Sequence, residues 1–376
     1  MVEREIKLKF GEGVISGIIA LTLSILSFLG VLAFYFPEYL TTPDLRKNYS
    51  VDFIRQLMFY ALILAGGLAT FNIVRGFDAT NRRGTKIKYL GLASWFFISI
   101  TILLGANNIE VKDFADNKPY IGLDWFILDL LGSSLIFIII EKIWPHRNQR
   151  VFRLGWKTDF NHFLLNHLLI GFMLLVTNHI VYGMFGWVSM LGTDVFIQSL
   201  PFWGQLFLII LLADLVQYWV HRGYHEIPFL WRFHAIHHSA KKMDWMAGSR
   251  QHLLEIIATR CLVLIPVFLL GFSKSVIDAY IIVVGLQAVF NHANVKFKFG
   301  WLQYIIVTPQ FHHWHHSSDK AAIDKNYAAH FSFLDYIFGS AVKGQEEWPE
   351  EYGVVGDYVP DGLVKQQIFP FLKQSK

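Results

Sequence analysis

The sequence predicts an all-α fold: a multi-pass helical bundle in a membrane, with a histidine-rich helical cap that faces the cytosol. Two observations carry this prediction. Apolar residues make up 54% of the 376 residues and charged residues only 16%, whereas soluble domains carry roughly 25% charged residues. The apolar residues are also gathered into runs close to the roughly 20 residues that a helix needs to cross a bilayer. A soluble fold of this size could not cover its surface with so little polar material.

The apolar runs follow one another along most of the chain. They lie at residues 14–36, 57–73, 89–104, 121–140, 162–185, 204–220, 256–272 and 276–290. The last two runs are broken by a short polar segment at 271–275, so we expect a hairpin that either crosses the bilayer or dips into it. The polar stretch that follows residue 343 contains three prolines and an acidic run. This composition predicts a polar tail.

Lysine and arginine residues predict the orientation, because cytosolic loops are enriched in them. They are concentrated in the N-terminal segment and in the connections after the second and fourth apolar runs. The intervening connections carry two lysines at 105–120 and none at 186–203. This bias places the N-terminus in the cytosol and returns the chain to that side near His221. A bacterial inner membrane and the endoplasmic reticulum both fit.

Eleven of the sixteen histidines lie between residues 221 and 316, and their spacing is that of ligands on helices. The groups are His221 and His225; His234, His237 and His238; and His312, His315 and His316. Residues three and four apart share a helix face, so each group presents a stripe of imidazoles. A metal makes such crowding favourable, because neutral imidazole binds iron, zinc and copper. Eight histidines exceed the needs of one ion, which favours two ions.

Other metal-site types are excluded by residue type. The single cysteine, Cys261, rules out thiolate zinc sites and self-contained iron–sulfur sites. The Glu-x-x-His motif of ferritin-like carboxylate sites is absent from the sequence. The zinc protease motif H-E-x-x-H begins at His225 but fails at Phe229. The predicted site is therefore rich in histidine and poor in carboxylate.

The three histidine groups and their surroundings resemble the membrane fatty acid hydroxylase and sterol desaturase superfamily of di-iron oxygenases. The superfamily's boxes H-x-x-x-H, H-x-x-H-H and a late H-x-x-H-H match the three groups in order. The similarity covers about residues 156–340 and includes Arg250-Gln-His252 with Glu255, Asn291-His292-Ala-Asn294 and the segment FLDYIFGS at 333–340. It divides the chain into an N-terminal membrane region at 1–150, a catalytic domain at 151–343 and a tail at 344–376.

The resemblance implies that the eight box histidines bind two iron ions and that His292 is a ninth ligand. Some members carry a further histidine one turn later, where this chain has Lys296. His252, His313 or water could complete the ligand set. Asp214 lies seven residues before His221 on the same helix face, and we expect it to accept the far N–H of a ligand histidine, as carboxylates around metal sites do.

The resemblance also implies the chemistry and the partners. O₂ would be the co-substrate, and the enzyme would hydroxylate or desaturate an unactivated C–H bond of a lipid. The electrons would come from an external donor of the cytochrome b5 or ferredoxin type. Surface positive residues, Arg222, Arg232, Lys241 and Lys242, are candidate contacts for that donor or for anionic membrane lipids. Nucleic acid is not an expected partner.

Three other functions compete with this interpretation. A membrane acyltransferase would use the spacing H-x-x-x-x-D, which His330 and Asp335 have. A bis-histidine haem protein would pair histidines on facing spans, for which His162, His167 and His179 are candidates. A metal-ion transporter would place its ligands among carboxylates within the membrane. The first two functions do not use the three histidine groups. A transporter would need them within the membrane, whereas they are expected at its inner boundary.

Overall fold

The computed structural model describes residues 14–47, 50–78, 82–111, 122–187, 193–342, 347–356 and 358–372. Regular structure within these ranges is helical. The β pairing found there is limited to two isolated bridges, Pro145 with Val295 and Ser317 with Tyr352. The predicted all-α fold is confirmed.

The described helices are numbered in chain order. They are α1 Val14–Tyr35, α2 Pro37–Leu40, α3 Pro43–Arg46, α4 Val51–Asp78, α5 Arg82–Leu103, α6 Leu123–Ile143, α7 Trp156–Leu168, α8 Ile170–Phe185, α9 Thr193–Ser199, α10 Phe202–Glu226, α11 Pro228–His238, α12 Leu253–Leu270, α13 Lys274–His292, α14 Pro309–His315, α15 Phe333–Ile337 and α16 Leu363–Ile368. Short 3₁₀ turns lie at Ala106–Asn108, Ala247–Ser249, Gly300–Tyr304 and Phe369–Phe371.

Six of these helices, α1, α4, α5, α6, α10 and α13, are long and apolar enough to cross a membrane. Their outer faces carry large apolar side chains, such as Tyr60, which is 66% exposed, and Phe96, which is 60% exposed. Apolar surface of this extent is typical of contact with lipid rather than water. The prediction of a multi-pass membrane bundle is confirmed.

The chain divides into two compact units between Ile127 and Leu128. In the first unit, α1, α4 and α5 pack against one another through small and polar residues, as helices in lipid do. A Cβ atom at Gly91 of α5 would lie 2.6 Å from the carbonyl oxygen of Ala69 in α4. Ser16 of α1 donates to Asn72 of α4 at 3.1 Å. Close backbone approach and a buried hydrogen bond therefore join these three helices.

The second unit contains all the histidines between 221 and 316. Its apolar core joins α10, α12 and α13 through residues such as Ile209, Val267 and Val276. Beyond this core α10 continues to Glu226, and Pro228 begins α11 one residue after α10 ends. Proline suits the first turn of a helix because its missing N–H needs no partner there. The sharp reversal brings the histidines of α10 and α11 side by side.

The structure differs from the sequence prediction at 162–185, where two helices, α7 and α8, replace one apolar run. The buried face of α7 is polar and includes Asp159, His162 and Asn166. Asn166 donates to the carbonyl oxygen of Ser249 at 2.9 Å. Because these polar groups bond to the segment before α12, α7 supports the cap through hydrogen bonds. The predicted apolar run begins at residue 162, whereas the apolar helix α8 begins at Ile170. The polar residues of α7 stand among apolar neighbours in the sequence, which hid their common helix face.

Arg153, one of the positive residues used to predict the orientation, is only 5% exposed. Its guanidinium contacts Asp159 at 2.7 Å and Asp244 at 2.7 Å. Arg250 contacts the other oxygen of Asp159 at 2.5 Å. Arg153 therefore belongs to a buried ion network and carries no information about the orientation of the chain.

The described part of the predicted tail packs on the second unit. Gln366 of α16 is fully buried, and its side-chain oxygen lies 2.8 Å from Nε2 of His162. Phe369 packs with Ala235 and Ile236 of α11. The boundary at 343 between catalytic domain and tail stays a prediction, but the tail is part of the unit that holds the histidines.

Candidate metal centre

The nine predicted ligand histidines come from four helix ends. Helix α10 carries two, α11 carries three, α13 ends on His292, and α14 and its C-cap carry the last three. Helix α14 begins at Pro309, and the hydroxyl of Thr308 accepts from the N–H of Phe311 at 3.3 Å. This cap fixes the start of a helix of only two turns, so that its histidines face α10 and α11.

The nine histidines form two groups, and within each group one ligand nitrogen per residue lies within 4.8 Å of all the others. The first group is His221, His225, His234, His238 and His315; the second group is His237, His292, His312 and His316. All nine side chains are buried or nearly so. The structure thus brings together every residue predicted as a principal ligand, while metal binding itself stays a prediction.

Three histidines of the first group donate to one short segment, Asp324–Tyr327. The bonds run from Nδ1 of His221 to the carbonyl oxygen of Tyr327 at 2.6 Å, from Nδ1 of His315 to the carbonyl oxygen of Lys325 at 2.8 Å, and from Nδ1 of His225 to the carboxylate of Asp324 at 3.2 Å. Each bond turns the opposite nitrogen, Nε2, toward the group. This segment therefore orients three of the five imidazoles.

The segment Asp324–Tyr327 is held in an unusual backbone conformation. Asp324 and Asn326 have φ values of +56° and +58°, a region that residues other than glycine rarely adopt. The side chain of Asn326 donates to the carbonyl oxygen of Phe311 at 2.9 Å and accepts from the N–H of Val342 at 2.8 Å. These bonds offset the backbone strain and link the segment to α14.

A fourth histidine of the first group, His234, faces a carboxylate. Its Nδ1 lies 2.6 Å from Oε1 of Glu255, and both side chains are 4% exposed. A carboxylate that accepts from a ligand histidine fixes the tautomer and raises the basicity of the ring. Glu255 is a candidate functional residue to which the sequence analysis gave no role, although its position near Arg250 and His252 was noted.

Two histidines of the second group donate to backbone carbonyl groups. Nδ1 of His237 donates to Arg250 at 3.2 Å, and Nδ1 of His292 donates to Ala288 at 2.7 Å. Gly248 lies against the ring of His292, and a Cβ atom there would be 2.8 Å from Nδ1. Only glycine leaves room for this ring orientation.

The orientation of the rings points nitrogen lone pairs at one another, and a bound cation would remove the repulsion between them. A carbonyl oxygen can only accept, so Nδ1 of His237 and of His292 must carry hydrogen, and Nε2 of each neutral ring is a lone pair. These two Nε2 atoms lie 3.3 Å apart. In the first group, the Nε2 atoms of His221 and His234 lie 3.0 Å apart. Two lone pairs at this distance repel each other unless a metal ion binds both.

Unpartnered nitrogens support the same conclusion. Among the described residues, the buried Nε2 atoms of His225 and His315, which face the first group, lack a hydrogen-bond partner. Buried polar atoms without partners are rare. The donor set consists of neutral imidazoles, which suits iron, copper and zinc. The residues present therefore fit two transition-metal ions, one in each group.

Burial keeps the histidines outside the membrane-spanning helices neutral. It lowers the pKa of His237, His238, His312, His315 and His316 well below the usual value of 6.5. Burial also lowers the pKa of His313 to about 3 and that of His330 to about 4. Neutral rings are the form that binds metal, so the site is ready for metal at neutral pH.

The lowered pKa values predict acid instability of the metal-free protein. Between pH 6.5 and about 4 the unfolded chain binds protons at these histidines and the folded chain does not, so the free energy of unfolding falls as the pH falls. We expect the melting temperature in detergent to be constant above about pH 7 and to drop steeply between pH 6.5 and 4. Thermal unfolding followed by circular dichroism at several pH values tests this. A flat profile down to pH 5 would contradict it.

The carboxylate of Glu255 predicts a second measurable effect. Glu255→Gln keeps the shape of the side chain but removes its charge, so the ring of His234 becomes less basic and a weaker metal ligand. We expect metal affinity to fall by roughly 10- to 100-fold, measured by competition with a chromophoric chelator. Glu226→Gln is the matched control, because Glu226 is exposed and paired with Arg222. Equal affinities in native protein and the Glu255 variant would refute the role of the carboxylate.

Asp214 has a different role from the predicted one. Its two oxygens accept from the backbone N–H groups of Ala329, His330 and Phe331 at 2.9, 3.1 and 2.6 Å. It accepts no bond from a ligand histidine. The side chain lies nearly two turns before His221 and bonds to the segment that follows Tyr327, whose carbonyl oxygen accepts from His221. Asp214 therefore fixes the chain next to the segment that orients the first group.

The two additional ligand candidates lie outside both groups. Nε2 of His252 contacts the carbonyl oxygen of Gln367 at 2.9 Å, and its Nδ1 accepts from the N–H of Leu254 at 3.1 Å. His313 lies between the hydroxyl of Tyr352 at 2.8 Å and the carbonyl oxygen of His292 at 3.2 Å. Both nitrogens of each ring are occupied, so neither residue is placed to complete the ligand set.

The residues behind the competing functions have structural partners. Asp335 accepts from the N–H groups of Tyr327 and Ala328 at 2.7 and 2.9 Å, and His330 contacts Gln287 at 3.0 Å. These bonds occupy the pair that an acyltransferase would use. The haem candidates are separate as well: His162 bonds to Gln251 and Gln366, His167 pairs with Asp129, and His179 is exposed.

Comparison with known proteins agrees with the geometry. The family model for fatty acid hydroxylases matches residues 206–340. The chain is 30% identical over 172 residues to the ornithine lipid hydroxylase OlsE of Rhizobium tropici, which is 46% of this chain and 52% of that protein. It is 33% identical over 128 residues to the alkylglycerol monooxygenase of Homo sapiens, 34% of this chain and 28% of that protein.

A further relative is a very-long-chain aldehyde decarbonylase of Oryza sativa subsp. indica, 27% identical over 166 residues, or 40% of this chain and 26% of that protein. The chain thus spans about half or less of the length of these curated relatives. No solved structure matches it.

Proposed function

We propose that the chain is a membrane-bound oxygenase that hydroxylates a C–H bond of a lipid, because residues 206–340 match the family model for fatty acid hydroxylases. The reaction would be R–H + O₂ + 2e⁻ + 2H⁺ → R–OH + H₂O. The observation that carries the proposal is the pair of facing Nε2 lone pairs in each of the two histidine groups. Desaturation of the same lipid, with two molecules of water as the other product, is the alternative outcome for the same residues.

In this proposal the first group binds one iron ion through His221, His225, His234, His238 and His315, and the second binds another through His237, His292, His312 and His316. Two bound iron ions would supply the activation of O₂. The protein residues hold the rings in one tautomer: Glu255 and the segment Asp324–Tyr327 for the first group, and the carbonyl groups of Arg250 and Ala288 for the second.

The proposed substrate is a membrane lipid. The relatives include a hydroxylase of ornithine lipid and a monooxygenase of alkylglycerol, and both names describe lipid substrates. Helices α10 and α13, which end at ligand histidines, are also long and apolar enough to cross a membrane. A hydrocarbon chain in the bilayer could therefore approach the centre along these helices without entering water.

The electrons would come from a separate donor of the cytochrome b5 or ferredoxin type. We further propose that the centre faces the cytosol, because lysine and arginine residues are concentrated in alternate connections of the chain. Of the four surface positive residues considered for docking, Arg222 pairs with Glu226 and Arg232 donates to the carbonyl oxygen of Leu372. Lys241 and Lys242 are exposed and are further candidates for contact with an acidic donor.

The test is oxygen-isotope labelling with the full chain in lipid nanodiscs. Iron-loaded protein receives a lipid extract, a reduced ferredoxin or cytochrome b5 with its reductase, and ¹⁸O₂. We expect a lipid whose mass increases by one ¹⁸O atom, dependent on both donor and iron. Water labelled with ¹⁸O in place of O₂ is the control and should leave the product unlabelled. Absence of labelled and of desaturated lipid from protein that holds two iron ions would reject the proposal.

A further inference from the structure

A charged side chain faces the interior of the apolar hairpin in the second unit. Arg260 belongs to α12, where it lies one turn after Ile256 and one turn before Leu264, so the three residues share a face. Ile256 is buried, and Leu264 packs against the core formed with α10 and α13. Arg260 therefore lies on the helix face that packs on that core, and its side chain is partly exposed.

Arg260 makes no hydrogen bond or ion pair with the described residues. The two buried carboxylates nearest in the fold are already engaged. Asp214 accepts three backbone N–H groups, and Glu255 accepts from His234. An arginine in an apolar helix is costly unless a partner neutralises it, and such residues in membrane proteins commonly mark the path or the binding site of a substrate.

A second polar group without a hydrogen-bond partner among the described residues belongs to the same core. Tyr280 of α13 is 8% exposed and belongs to the same core, and it is close enough to Arg260 for an electrostatic interaction. Its hydroxyl group makes no hydrogen bond with the described residues, and it is not among their fully buried atoms that lack a partner, so it is open to a ligand. Two hydrogen-bond donors of the same hairpin thus lack an acceptor among the described residues.

We propose that Arg260 and Tyr280 bind the anionic oxygen group of the lipid substrate, a carboxylate or a phosphate. Guanidinium is well suited to either group because its N–H donors match two oxygens at once. Arg260 lies five residues after Glu255, about 7.5 Å further along the helix axis, and Glu255 contacts a histidine of the first group. The anion would be held beside the centre, on its bilayer side. The term substrate rests on the proposed function.

The test compares three probes of equal chain length: a fluorescent fatty acid, the corresponding fatty alcohol and the corresponding phosphatidic acid. Each is titrated into the full chain in phosphatidylcholine nanodiscs. We expect at least one anionic probe to bind about 10- to 100-fold more tightly than the alcohol, as for a charge-assisted hydrogen bond in an apolar site. The two anionic arms identify carboxylate or phosphate as the preferred group.

Arg260→Met should remove the preference while leaving the affinity for the alcohol unchanged. Lys274→Met is the matched control, because Lys274 is an exposed positive residue of the same hairpin, paired with Asp278; it should keep the preference. Tyr280→Phe retains the ring and should reduce the preference about three- to tenfold. This milder variant keeps the test decisive if Arg260→Met does not fold.

Two results would overturn the proposal: equal binding of all three probes by the native chain, or an undiminished preference in Arg260→Met that holds the native amount of metal. The second result would mean that Arg260 only extends to the membrane surface. The binding measurement needs no turnover. Failure to hydroxylate any lipid would therefore reject the proposed function but not the anion site. Equal binding of the three probes would reject the anion site but not the proposed function.

Discussion

Replacing both His237 and His238 by alanine is expected to lower the metal content from about two ions per chain to near zero. These neighbours belong to different groups, His237 to the second and His238 to the first, so the double variant removes one ligand from each. Losing a residue that hydrogen-bonds a ligand histidine typically lowers activity by roughly 10- to 100-fold. Losing two ligands should lower the activity by more than that. Metal analysis of gently extracted protein measures the first effect and the isotope assay the second.

The single variants and a control separate ligand loss from general damage. His238→Ala should release the metal of the first group and His237→Ala that of the second. His179→Ala changes an exposed histidine of α8 and should keep both ions. Two ions in the double variant would reject the assignment of these residues as ligands, and zero or one ion in the native chain would reject the dinuclear site.

Replacing Asp214 by alanine is expected to destabilise the protein by about 3 kcal/mol or more. The substitution leaves the N–H groups of Ala329, His330 and Phe331 without their acceptor, and each buried donor left unpaired costs roughly 1–3 kcal/mol. This is a large fraction of a total stability of about 5–15 kcal/mol. Thermal unfolding of the metal-free protein in detergent measures the change without a contribution from bound metal.

The control for this prediction is Asp278→Ala, which removes an exposed carboxylate paired with Lys274 and should leave the melting temperature nearly unchanged. Asp214→Asn should be intermediate, because one oxygen remains to accept while the new NH₂ group faces N–H donors. A native melting temperature in Asp214→Ala would mean that water replaces the carboxylate. The role given to Asp214 here would then be wrong.

The membrane fold and the ligand histidines could be predicted because both depend on residue type and spacing. A run of apolar residues predicts a span wherever it occurs, and histidines at i, i+3 and i+4 share a helix face. Residue type and spacing could not predict which histidine belongs to which of the two groups. His237 and His238 are adjacent, and successive residues on a helix point about 100° apart, so each reaches a different group.

The partners of the ligand nitrogens were also beyond the sequence. His221, His237, His292 and His315 donate to backbone carbonyl groups, and every residue type has such a group. Their selection depends on the path of the chain, which for His221 and His315 includes positive φ values at Asp324 and Asn326. Asp214 was assigned incorrectly for the same reason: its helix position was right, but the segment beside it follows more than a hundred residues later.

Because the segment Asp324–Tyr327 lies late in the chain, the metal centre can be completed only late in translation. Six of the nine histidines precede residue 300, so they leave the ribosome before the last helix of ligands, and His221 and His225 also leave before the segment that orients them. The hairpin of α12 and α13 must also enter the bilayer in the meantime. A nascent chain therefore carries a partial, unoriented set of imidazoles that any available transition metal could reach. Correct loading depends on metal being exchanged or supplied after residue 327 has emerged.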